Sequence, residues 1–196
     1  MTGWLHARRA GWWAATAVAL ALVAGLATGR LPSLNVIYRS GEGAPFRLVV
    51  PALVATAILS VLISPTPRAD RTSTRHPHRE IALAAVVTGG CVILAEALPV
   101  ALGAADAPFT FTRNLLGFLG IGFLTRAFLP ATTSPLAPLA WVIPTLTLAR
   151  PEGDLIAWPL LPSAADPRGL VAAAGLVVLG LTVEIVRTHR IAGFLR

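Results

Sequence analysis

Lysine is missing: all 16 basic residues of this 196-residue chain are arginine. That absence removes whole classes of chemistry. A P-loop of the form G-x-x-x-x-G-K-[ST] needs its lysine for the phosphates, so the chain carries no standard ATP site. A lysine Schiff base is equally impossible. Cysteine is almost absent, and Cys91 alone permits neither an internal disulfide nor a multi-cysteine metal site. It falls in an apolar run, where a small packing residue is the expected role. Charged residues make up 13% of the chain, about half of the roughly 25% found in soluble domains. Catalytic constellations are missing as well. There is no G-x-S-x-G elbow and no H-E-x-x-H, and none of the four histidines lies in an apolar run. His76 and His78 flank Pro77 in a basic loop with no third metal ligand nearby, which reads as a solvated loop. The expectation is a chain that is not an enzyme, holds no metal and uses no cofactor of its own.

What the chain has is apolar sequence, 55% of its residues. The runs cover residues 12–28, 46–63, 81–102, 109–129, 136–149 and 170–186. A membrane helix needs about 20 such residues to cross a core of about 30 Å. The fold class expected is therefore an all-α membrane protein, a single transmembrane domain of six helices. Arg8 and Arg9 before the first run imitate a signal peptide, but the apolar runs that follow favour an uncleaved first helix. The fifth run contains Pro138 and Pro144 and extends only about 21 Å as a helix, so it is expected to be extended, kinked or partly spanning.

The net charge of +7 does not mark a nucleic-acid binder, because the arginines gather at the ends of the runs. With the N-terminus cytoplasmic and six spans, the inner segments hold Arg8, Arg9, Arg68, Arg71, Arg75, Arg79, Arg126, Arg187, Arg190 and Arg196, ten of the 16. Positive residues favour the cytoplasmic side, so both termini are expected inside a bacterial plasma membrane.

Several residues stand out against this background. Ala17, Ala21, Gly25 and Gly29 repeat at spacing four, a thin face suited either to a subunit interface or to packing within the chain. Glu96 is an acid inside the third run, where an unpaired carboxylate is costly. Arg113, near the start of the fourth run, is its expected partner, in a structural pair, a proton relay or a substrate contact. Glu184 is expected to be paired or snorkelling near Arg187. The segment 64–80 is polar and basic, with Arg68, Asp70, Arg71, Arg75 and Arg79. The segment 150–168 has an apolar centre around Leu155, Trp158 and Pro159. Too short to span, it reads as a re-entrant or interfacial segment between helices five and six, or as a loop dipping its Trp into the headgroups.

Together these features resemble the transmembrane subunits of ABC exporters of the ABC-2 type. The closest local likeness is Thr112-Arg113-Asn114-Leu115-Leu116-Gly117-Phe118-Leu119-Gly120, similar to the start of the fourth span in small permeases of GC-rich bacteria. Ala157-Trp158-Pro159-Leu160 followed by Asp166-Pro167 is similar to the same group. The resemblance implies a permease that pairs with a second permease, of the same or a related chain, and with separate ATPase subunits that hold ATP and Mg. It implies that segment 64–80 is the coupling loop and that Leu155, Trp158 and Pro159 belong to an outer gate. Those permeases begin with a longer amphipathic helix than Met1–Gly11 allows. A second resemblance, to substrate-binding subunits of energy-coupling uptake systems, rests on Ala17 and Ala21. A non-transporting accessory membrane protein is the third reading.

Overall fold

The computed structural model describes residues 2–26, 46–62, 77–102, 109–148 and 167–194. Helices account for nearly all of them: α1 (Thr2–Leu26), α2 (Phe46–Val61), α3 (Pro77–Ala101), α4 (Thr110–Phe128), a 3-10 turn (Ala131–Thr133), α5 (Leu136–Leu148) and α6 (Pro167–Phe194). No strand occurs among the described residues. Each apolar run lies largely within one helix. Three of the helices reach beyond their runs: α1 starts at Thr2, α3 at Pro77, and α6 continues to Phe194.

Two stretches are long and apolar enough to cross a membrane, Ala82–Ala101 of α3 and Arg168–Val186 of α6; Ala10–Leu26 and Val49–Val61 are shorter apolar helices. Only 28% and 17% of the two long stretches is buried inside the bundle, the reverse of a soluble core helix. Val86, Ile93 and Val100 on α3, and Val171 and Val178 on α6, are between 63% and 72% exposed. An outward apolar surface of this extent requires an apolar surrounding or a partner.

Close contacts fix the helix directions. Leu59 lies against Gly122, and the Leu62 carbonyl meets Arg126, so α2 and α4 run parallel. Gly169 lies against Arg113, Gly120 against Leu176 and Val177, and Glu184 against Arg126, so α4 and α6 run parallel as well. Gly25, at the end of α1, packs on Leu94, Ala95 and Leu98, near the end of α3. The end of α3 meets the start of α4 through Glu96. Thus α1 and α3 point one way and α2, α4 and α6 the other. We call the end where α4 begins the upper end and the end where it finishes the lower end.

The core lies between α1, α2, α3 and α4, where Ile58, Leu59, Phe111, Leu115, Phe118 and Cys91 are fully or almost fully enclosed. Glycine lets α4 come close on two sides. A Cβ on Gly120 would stand 2.9 Å from backbone atoms of Leu176 and Val177, and one on Gly180 would stand 3.1 Å from the Gly120 carbonyl. The α4–α6 contact is therefore backbone on backbone, the packing small residues allow where apolar surroundings give helices no hydrophobic reason to associate. Hydroxyls inside the helices are satisfied locally: Thr16, Thr56, Ser60, Thr88, Thr125 and Thr182 each donate to the carbonyl four residues earlier. Such bonds leave no hydroxyl hydrogen pointing at an apolar environment.

Candidate functional site

Polar side chains gather at the two ends of α4. At the upper end, the helix starts at an N-cap that is Phe109, a residue with no side-chain oxygen to accept from the first turn. A carboxylate from another helix does this work. Glu96 accepts from the Phe109 N–H (3.1 Å), the Thr112 N–H (2.9 Å) and the Thr112 hydroxyl (3.0 Å). In a capping box, one side chain takes the N–H at the third helical position and another takes the N–H of the cap residue. Here a single carboxylate takes both, and its charge faces the positive end of the α4 dipole. Phe109 itself holds φ 66°, the left-handed region, and is the only non-glycine residue among those described to do so.

This corrects the expected Glu96–Arg113 pair. The hydrogen bonds reaching the carboxylate come from the α4 terminus, where Arg113 also stands. Arg113 is the next residue along a helix and points about 100° away from Thr112. It is buried against α6: its Cδ would stand 3.0 Å from a Cβ on Gly169, and its Nε donates to Asn114 Oδ1 at 3.4 Å. Asn114 is fully enclosed, and its amide nitrogen has no hydrogen-bond partner. Arg113 and Asn114 stood out in the local likeness, whereas the role of Thr112 and the Phe109 N–H went unseen. The signal was a helix start without Ser, Thr, Asp or Asn at its cap.

At the lower end, Arg126 joins three helices. Its Nε lies 2.6 Å from Glu184 Oε1 on α6, and its Nη1 donates to the Leu62 carbonyl at 3.1 Å. That carbonyl stands at the end of α2, where helical carbonyls lack donors and the dipole favours a cation. Glu184 was expected to be paired or snorkelling near Arg187, whose side chain lies outside the described residues; the structure shows it paired with Arg126 from another helix.

The thin face of α1 is internal. Ala17 and Ala21 are completely buried, and Gly25 touches the Leu94 carbonyl, so the stripe packs within the chain rather than offering a subunit interface. Gly29 lies outside the described residues, as do Arg68, Asp70, Arg71 and Arg75 of the basic segment and Leu155, Trp158 and Pro159 of the outer one. Arg79 falls on the first turn of α3. No family model, curated protein or solved structure matches the chain. Its class rests on its own features: an all-helical bundle with two helices that could span a membrane.

Proposed function

We propose that this chain is a six-span permease subunit of an ATP-driven exporter of the ABC-2 type, working with a second permease and separate ATPase subunits. Both termini face the bacterial cytoplasm in this reading. The observation that carries it is the alternation of helix direction combined with outward apolar side chains. Helices α1 and α3 point up and α2, α4 and α6 point down, as a serpentine membrane bundle requires. Because α4 and α6 are parallel, the chain has to return from the lower end to the upper end between them.

The short α5 fits this path. The Pro135 carbonyl accepts from Thr56, six residues before Leu62 and so about 9 Å above the lower end. From there the 13 residues of α5 add about 20 Å, which together approach the ~30 Å of a bilayer core. The lower end is also the end rich in arginine, which supports placing it in the cytoplasm. The ABC-2 assignment itself leans on the local sequence likeness and on the missing P-loop lysine. The uptake-subunit reading loses support, since Ala17 and Ala21 are buried within the chain.

Purification of the tagged chain from its own membranes tests the proposal. An ABC ATPase and a permease partner should come with it. A bound vitamin with a coupling subunit, or no ATPase at all, would refute it. Labelling of a cysteine at Ser73 from outside intact cells would refute the orientation.

A further inference from the structure

We propose that Arg126 locks the lower ends of α2, α4 and α6 into one moving unit. It is then the residue through which force on α2 at the root of the basic segment reaches α6. The proposal deepens the permease reading and rests on it.

Three observations lead there. First, one guanidinium serves two helices from a third. Nε reaches Glu184 on α6 at 2.6 Å and Nη1 reaches the Leu62 carbonyl at 3.1 Å. Only arginine offers donors splayed in a rigid fork, so displacement of one acceptor is passed to the other through the guanidinium plane. Second, Leu62 directly follows Val61, the last residue of α2, and its N–H closes the final turn on the Leu59 carbonyl. The carbonyl that Arg126 holds is therefore part of the C-terminal end of α2. Third, α6 packs chiefly on α4, and across glycines. The contact is tight in its middle, where the Leu176 side chain lies over Gly120 and the Phe123 side chain over Gly180. The ion pair, about one-quarter exposed on each side, carries that register on to the lower end, beyond the glycines.

The test uses the full chain in lipid nanodiscs together with its co-purified ATPase. Cys91 is replaced by alanine, and spin labels sit on cysteines introduced at Leu53 of α2 and Val186 of α6, both exposed. A control pair joins Trp12 of α1 to Val186. In the parent, the α2–α6 distance should form one narrow peak, unchanged when ATP and vanadate trap the complex, while the control distance shifts. The double variant Arg126→Met/Glu184→Leu replaces the pair by apolar groups of similar size, an exchange that generally preserves folding. Its thermal unfolding should stay near the parent's, yet its α2–α6 distance should broaden at rest and shift on trapping. Arg126→Lys keeps the charge but not the fork, and should fall between the two.

A double variant with the parent's narrow, unmoving α2–α6 distance would overturn the lock. If the control pair does not shift on trapping, the coupling role is wrong even where the lock holds. Absence of the ATPase would instead remove the permease reading, and the resting distance distribution alone would then decide the lock.

Discussion

Replacing Glu96 separates two physical roles for an acid inside an apolar helix. If Glu96 caps α4, Glu96→Ala removes the acceptor of three hydrogen bonds. Loss of an N-cap costs about 0.5–2 kcal/mol. Loss of the charge at the helix N-terminus adds roughly 0.3–1 kcal/mol. The expected destabilisation is about 2 kcal/mol. Glu96→Gln keeps one carbonyl oxygen for the same donors and loses the charge, so about 1 kcal/mol is expected. If Glu96 instead neutralised Arg113, glutamine would strand a buried guanidinium at a cost of about 3–5 kcal/mol. Arg113→Leu would then rescue it.

Unfolding by SDS in mixed micelles, followed through the five tryptophans, measures these differences. The capping account requires alanine to cost more than glutamine. It also requires Glu96→Gln and Arg113→Leu to add within about 0.5 kcal/mol. A glutamine variant as damaged as the alanine variant and restored by Arg113→Leu would refute the capping account in favour of an ion pair.

Two further outcomes follow from the backbone. Gly120→Ala places a Cβ against the backbone of Leu176 and Val177 and should cost about 1–3 kcal/mol, whereas Gly175→Ala meets nothing within 4 Å and should be neutral or stabilising by up to about 1 kcal/mol; equal effects in the same SDS titration would contradict the α4–α6 register. Phe109→Asn relieves a left-handed conformation that asparagine tolerates better and should stabilise by roughly 1 kcal/mol, so a loss of stability would show that the Phe109 side chain is held by packing.

The helices were legible in the sequence because apolar runs bounded by arginine and proline leave little choice of secondary structure in a chain so poor in charge. Leu136–Leu148 lies within the expected fifth run, and Phe46–Val61 begins where the second run begins. The partners of the charges were less legible. Glu184 also bonds an arginine 58 positions upstream, Arg126, brought near by the parallel packing of α4 and α6. Parallel neighbours far apart in the sequence leave no periodic signature. Glu96 stood out as an acid inside an apolar run, but two of its three hydrogen bonds come from main-chain N–H groups, which every sequence contains and no pattern marks.

Asn114 shows how the remaining polar residues can be read from register. Its enclosed amide nitrogen lacks an acceptor, a state that costs about 1–3 kcal/mol. Leu59 beside Gly122 and Leu62 beside Arg126 set the α2–α4 register, and that register brings Asn114 level with Val50 and Pro51. Pro51 has no N–H, so the Arg47 carbonyl four residues earlier lacks its helical donor. An unmatched donor on α4 thus lies along the stretch of α2 where Pro51 removes a helical donor, and neighbouring side chains are the usual remedy for a proline break in apolar surroundings. If the amide serves that carbonyl when the helices shift, Asn114→Leu should cost about 1 kcal/mol beside Pro51. Pro51→Ala restores the N–H within α2, so the same Asn114→Leu change should then cost nothing or stabilise. The double-mutant cycle should show a coupling of about 1 kcal/mol, above the roughly 0.5 kcal/mol within which independent sites add. Additive effects in the SDS titration would mean that Asn114 and the Pro51 break act separately.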